Sequence, residues 1–212
     1  MTIRISHGIE EDGIVTGNAF DKYGSRNPLV KWMMSGFENT IQDLTSGLRS
    51  GTIHEVGCGE GFWTLRWLAE GCNVQGSDFS KEIVSIAKSN AIARNLSPDV
   101  FQQRSIYDLN VEDDAADLVL CCEVLEHLEH PEQALDVLHS ITRGHLLISV
   151  PNEPLWRVLN LARFSYIADL GNTPGHIQHW STAGFKKFVS TRFDVLEAHS
   201  PLPWTVLLCR PK

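Results

Sequence analysis

The chain has 212 residues, with 18 Lys and Arg against 26 Asp and Glu, a formal charge of −8, and 42% hydrophobic residues. That length and apolar content suit one domain with a large core, and the acidic balance argues against a phosphate backbone as partner. No run approaches the roughly 18 apolar residues of a membrane span and the N-terminus lacks a signal-peptide core, so a cytoplasmic protein is expected.

In chain order, Asn27-Pro28 supplies a helix cap and a first-turn proline, and Val30, Met33, Phe37, Ile41, Leu44 and Leu48 follow at helical spacing. That helix ends near Ser50-Gly51, and residues 52–56 read as a strand running into Gly57, Gly59 and Gly61. A helix through Leu65, Leu68 and Ala69 comes next. Residues 73–77 then form a strand, and Ser80 caps a helix that buries Ile83, Ile86, Ala87 and Ala91. Residues 100–103 are a third strand, and the apolar run 117–122 is a fourth, covered on both faces. Pro131 opens another helix, 146–150 is a fifth strand stopped by Pro151, 156–167 is helical, and 171–179 is a loop. Ser181 caps a last helix through Phe185 and Phe188, and residues 193–198 and 205–209 close the chain as strands. Such alternation predicts a doubly wound, Rossmann-like α/β sheet that binds ligands at the carboxyl ends of its strands, where strand order reverses.

Cys58, Cys72, Cys121, Cys122 and Cys209 are odd in number and contain no CxxC pair. They read as small apolar residues in a reducing compartment.

The sharpest motif is Glu55-Val56-Gly57-Cys58-Gly59-Glu60-Gly61, between a predicted strand and a predicted helix. Glycines there let the backbone turn and approach a ligand. Asp78 ends the next strand, where a carboxylate accepts the hydroxyls of a ribose. A dinucleotide fingerprint needs Gly or Ala where this chain has Phe62, and Glu60 places negative charge where a pyrophosphate would sit. An acidic loop instead suits a cofactor with a cationic end, and S-adenosylmethionine carries a sulfonium and an ammonium.

Residues 51–151 resemble the class I S-adenosylmethionine-dependent methyltransferases. EVGCGEG resembles that family's first motif, Asp78 its acidic residue after the second strand, Asp108 in SIYDL the residue that contacts the adenine amine, and DLVLCCEVLEH its fourth strand and the loop beside the methyl group. The resemblance implies a seven-stranded, mostly parallel sheet with a C-terminal antiparallel strand. It also implies cofactor contacts at Glu55, Gly57, Cys58, Gly59, Gly61, Asp78, Phe79, Asp108, Leu109 and Glu123. One methyltransferase-like domain over residues 1–212 is expected, with an N-terminal lid and helix over 1–50, a cofactor core over 51–150, and an acceptor-side insertion and C-terminal strands over 151–212.

The D/N-P-P-Y/F motif of amino-methylating enzymes is missing, since Cys122-Glu123-Val124-Leu125 stands in its place. No carboxylate cluster for Mg²⁺ is identifiable, and His176-x-x-His179 lacks further zinc ligands, so no metal is expected. A small-molecule acceptor remains, most often a hydroxyl. Transfer to a hydroxyl benefits from a base, usually histidine. His176 is the first candidate, with packing against or capping of the adjacent helix as the alternative, and His127 the second, with fixing of the loop after the fourth strand as the alternative. Phe20, Tyr23, Trp156 and His179 are candidates for the acceptor pocket, with ordinary core packing the alternative for the aromatic residues. Other readings of the chain are a nicotinamide-dependent oxidoreductase, a silent methyltransferase fold that only binds, and a methyltransferase acting on RNA or protein. A monomer or homodimer fits any of these.

Overall fold

The computed structural model describes residues 3–11, 14–18, 22–162 and 175–212. Asn27 caps the first helix, its side-chain oxygen accepting the Leu29 N–H at 2.9 Å, and α1 spans Pro28–Thr45. Before it lies a hairpin that the sequence did not suggest, β1 (Ile9–Glu11) antiparallel to β2 (Ile14–Thr16). The alternating core follows as predicted: β3 (Thr52–Val56), α2 (Phe62–Ala69), β4 (Asn73–Asp78), α3 (Lys81–Ile92) and β5 (Phe101–Gln103). Next come the short α4 (Val111–Asp114), β6 (Ala116–Cys122), α5 (Pro131–Ile141), β7 (Thr142–Pro151), α6 (Leu155–Ala162), α7 (Thr182–Val189), β8 (Phe193–His199) and β9 (Trp204–Pro211). The predicted helix over 156–167 is therefore seen as far as Ala162, and residues 163–174, with the start of the expected loop, lie outside the described residues.

Seven strands pair in the order β5-β4-β3-β6-β7-β9-β8, with β9 antiparallel to both of its neighbours. This is the expected Rossmann-like sheet with a reversed C-terminal strand. Alternation along β6 shows why it needs cover on both sides. Leu118 and Leu120 join a core with Phe37 and Ile41 of α1, Leu65 of α2 and Ala87 of α3, whereas Val119 and Cys121 join one with Leu135 of α5 and Phe185 of α7. Fully burying each such Leu contributes about 1.5–3 kcal/mol, which fixes the register of the central strands.

β7 starts earlier than its apolar run suggests. Thr142 already pairs with Ala116, so the polar residues 142–145 extend because their backbone has a partner strand. All five cysteines are free. Among the described residues no helix is long and apolar enough to cross a membrane.

The chain steps outward from β3 to β4 and β5, then returns past β3 to β6 and on to β7. Strand order reverses between β3 and β6, so the loops that leave these two strands lie side by side at the carboxyl edge.

Candidate functional site

The glycine loop after β3 is shaped by its neighbours. Gly57 has φ +73°, and a Cβ there would lie 2.3 Å from Cγ2 of Val124 in the loop after β6, so only glycine lets the two loops touch. The N–H groups of Gly57 and Cys58 both donate to the Ser77 carbonyl, at 2.8 and 2.9 Å. Gly59, at φ +53°, differs: a Cβ there would meet nothing within 4 Å. Its N–H donates to Oδ2 of Asp78 at 3.0 Å, while Oδ1 accepts the Ser80 N–H at 3.1 Å. Asp78 thus ties the open turn of the glycine loop to the start of α3, and the half-exposed ring of Phe79 stands beside it. On the adjoining edge, a single turn over Ile106–Asp108 follows β5, leaving the Asp108 side chain exposed and Leu109 buried.

Two acidic residues of the motif turn away from the open turn. Oε2 of Glu55 accepts the Thr64 N–H at 2.8 Å and also the Thr64 hydroxyl. It thereby serves the first turn of α2, whose own cap residue, Gly61, has no side chain. Burial pushes the Glu55 carboxyl up to about 8. Glu60, expected to add charge where a cofactor sits, instead accepts the N–H and hydroxyl of Ser6 and the N–H of Asn18, at 3.0, 2.8 and 2.8 Å. Burial alone would raise its pKa, but these donors outweigh it and hold the carboxyl below its usual value. Glu60 therefore belts the N-terminal segment onto the glycine loop, a contact that only the folded chain creates.

The N-terminal segment reaches the second loop as well. Tyr23 stacks on Phe62 with ring centroids 3.5 Å apart, and burial pushes its phenol well above the usual value. Phe20, its expected companion, lies outside the described residues. Glu123 has φ +60°, a left-handed conformation that costs a non-glycine residue about 1–3 kcal/mol and clusters at functional sites. Its Oε1 accepts the Ser149 hydroxyl at 3.0 Å and its Oε2 the Trp204 indole N–H at 2.7 Å. Burial pushes this carboxyl up to about 7, with Lys22 opposing the rise.

The predicted histidines converge next to it. The carbonyl of Glu126 accepts the N–H groups of Ile177 and Gln178 at 2.9 and 3.0 Å, and the Gln178 amide donates to the Leu128 carbonyl at 3.0 Å. This lacing brings His176 to His127, edge to face with ring centroids 4.9 Å apart, and Trp156 lies near-parallel to His176 at 6.1 Å. His127 Nδ1 is 2.9 Å from the Gly175 carbonyl; a carbonyl only accepts, so the proton sits on Nδ1 and Nε2 carries the lone pair. Burial, reinforced by the neighbouring His127 and His179, pushes His176 down to about 3, and burial also lowers His127. Both rings are neutral at physiological pH.

His179 is held to one side. Its Nε2 lies 2.9 Å from the Arg157 guanidinium and its Nδ1 3.6 Å from Oε1 of Glu153. Sequence reasoning passed over Lys22 and Glu126. Glu126 is 1% exposed, and neither of its carboxylate oxygens has a hydrogen-bond partner among the described residues. Its only sequence signal was adjacency to His127.

Residues 54–147 match the family described as "Methyltransferase domain". The chain is similar to ubiquinone biosynthesis O-methyltransferases: 28% identical over 116 residues to that of Photobacterium profundum, covering 54% of this chain and 49% of that protein. With the Haemophilus ducreyi protein it shares 32% over 124 residues, covering 55% and 52%. The chain thus spans about half the length of the curated relatives it matches. In fold it is similar to magnesium protoporphyrin IX methyltransferase from Synechocystis, solved with bound SAH (TM-score 0.67, 19% identity, 92% of this chain and 94% of that one). A SAM-dependent methyltransferase from Methanosarcina mazei superposes with TM-score 0.61 at 15% identity, over 77% and 93% of the two chains.

Proposed function

We propose that this chain, whose residues 54–147 place it among the class I S-adenosylmethionine-dependent methyltransferases, transfers a methyl group to a hydroxyl of a small aromatic, quinone-precursor-like molecule. The observation that carries this reading is the open turn at Gly59, tied by Asp78 at the point where strand order reverses. A nucleoside fits there: the turn has room for a ligand, Phe79 offers an exposed ring, and Asp78 offers carboxylate lone pairs to a ribose. Gly57, Cys58, Gly61, Asp108 and Leu109 complete the cradle, and Glu55 supports it from beneath through Thr64. When bound, S-adenosylmethionine supplies an electrophilic methyl on a sulfonium.

This chain's own residues do the rest. Trp156 and Tyr23 give the acceptor an apolar wall, and Glu123, held by Ser149 and Trp204, fixes the loop that separates cofactor from acceptor. The neutral imidazoles of His176 and His127 face the acceptor side and take the hydroxyl proton as the oxygen attacks. The names of the similar O-methyltransferases support a phenolic acceptor.

Calorimetry tests the cofactor. S-adenosylmethionine or its demethylated product should bind at roughly micromolar Kd, about −8 kcal/mol, and NAD far more weakly. NAD binding as tight or tighter would overturn the reading in favour of the oxidoreductase. An acceptor screen that follows S-adenosylhomocysteine release then tests the reaction.

The role of Asp78 has its own test. Asp78→Ala should weaken cofactor binding roughly 10- to 150-fold, since a charge-assisted hydrogen bond contributes about 1.5–3 kcal/mol. Asp78→Asn, which keeps an acceptor for the Gly59 or Ser80 N–H but loses the charge, should fall in between. Unchanged affinity in folded Asp78→Ala would reduce the residue to a tie between loop and helix.

A further inference from the structure

β5 is the edge strand of the sheet and pairs with β4 from Gly76 opposite Phe101 to Asp78 opposite Gln103. One further backbone bond follows, from the Arg104 N–H to the Asp78 carbonyl at 2.8 Å, and the chain then leaves the sheet for the turn Ile106–Asp108. From that point a side chain carries the connection. The Arg104 guanidinium donates from Nη2 to the Asp108 carbonyl at 2.8 Å and places Nη1 3.1 Å from Oδ2 of Asp114.

Asp114 is a fixed post for that cation. It is 2% exposed, its Oδ2 also accepts the Asn110 N–H at 2.8 Å, and its carbonyl accepts from Nδ1 of the buried His54 at 2.9 Å. The other nitrogen of His54 lies 2.8 Å from the Ser77 hydroxyl, and the Ser77 carbonyl holds the N–H groups of Gly57 and Cys58. One polar frame therefore runs behind the whole cradle, from the glycine loop to the Asp108 turn, and Arg104 is its last member.

We propose that Arg104 is a positioning residue that gives the site its selectivity for an amino-substituted purine, by holding the Asp108 turn at a fixed distance from Asp78. The inference rests on the nucleoside placement proposed above. Through its backbone Arg104 grips the residue offered to the ribose, and through its side chain the residue offered to the base. A planar guanidinium presents donors in two directions at once, so it can hold a carbonyl and a carboxylate together.

The exposed Asp108 carboxylate only accepts hydrogen bonds, so it attracts an exocyclic amine and repels an exocyclic oxygen at the same place. Rejection of the oxygen depends on the turn being unable to retreat, because a mobile carboxylate relieves the repulsion by swinging into water. Arg104 supplies that rigidity at the sheet edge, where the ladder between β4 and β5 has ended. The preceding residue does the same for the exposed ring beside it: the Gln103 amide donates to the Phe79 carbonyl at 3.2 Å.

Calorimetry without acceptor tests this, using S-adenosylhomocysteine and S-inosylhomocysteine, which carries an oxygen in place of the exocyclic amine. The wild type should prefer the amino compound by at least about 10-fold. Arg104→Met keeps the backbone bond to Asp78; it should weaken the amino compound about 10-fold and the oxo compound less than about threefold, so the preference shrinks by about threefold or more. A part in folding alone would weaken both ligands alike. Arg104→Lys keeps a charge opposite Asp114 but has no second arm for the Asp108 carbonyl, and should lie between. If Arg104→Met fails to fold beside the buried Asp114 carboxylate, the double variant with Asp114→Asn removes both charges and gives the same comparison. An undiminished preference in the folded variant, or equal weakening of both compounds, overturns the proposal. So does a wild type that binds the two compounds equally, which leaves the methyltransferase reading standing. Binding of neither compound would sink that reading and the proposal with it.

Discussion

His176→Ala is expected to lower kcat by about 10²–10⁴-fold while cofactor affinity changes less than about twofold. The ring is 8% exposed and packs edge to face on His127, and on the proposed reading it faces the acceptor. With its pKa pushed to about 3, it stays neutral and contributes no acid limb to the rate between roughly pH 6 and 9. Steady-state kinetics across that range, with calorimetry for the cofactor, checks both halves. Should His176→Ala retain near-normal turnover while His127→Ala does not, proton removal belongs to His127. Should both stay active, positioning of the acceptor suffices, as for an acceptor already acidic. His179→Ala, which among the described residues loses its contacts to Arg157 and Glu153 at the margin of the proposed site, should act mainly through stability.

Glu55→Gln should flatten the alkaline side of the stability profile. The Glu55 carboxyl is raised to about 8 in the folded chain by burial, against its ordinary value near 4.5. A group raised on folding contributes stability that is fully present below its unfolded pKa and is lost as pH rises through the folded one. Between pH 6 and 9 the ionising carboxylate therefore costs on the order of 2 kcal/mol, or about 4–8 °C in Tm for a chain of this size. Gln removes the titration yet still accepts from Thr64. His54 works in the opposite direction. It is buried between the Asp114 carbonyl and the Ser77 hydroxyl, and its burial-lowered pKa gives stability that is lost as pH falls below about 6.5. Thermal melts of both proteins across pH 5 to 9 decide the matter. An alkaline decline as steep in Glu55→Gln as in the wild type would mean that other groups govern it.

The alternation of apolar runs with glycine and cap signals was enough to place the sheet. Leu118, Val119, Leu120 and Cys121 are apolar in succession because both faces of β6 are covered. Asn27, Ser80 and Ser181 cap their helices through local bonds that need no tertiary partner. The glycine loop and Asp78 were legible for the same reason, since they are adjacent through a short strand–helix–strand unit. Contacts between distant segments were not. Nothing local announces that Glu60 binds Ser6 and Asn18 while Glu55 serves the first turn of α2, so the side-chain partners of these two carboxylates were not legible in the motif. Nor does the sequence mark the Glu126 carboxylate as buried with no hydrogen-bond partner among the described residues, or bring His176 against His127. Those juxtapositions follow from strand order and from the backbone bonds between residues 126 and 177–178, so they exist only once the loops after β3, β6 and β7 share one edge of the sheet.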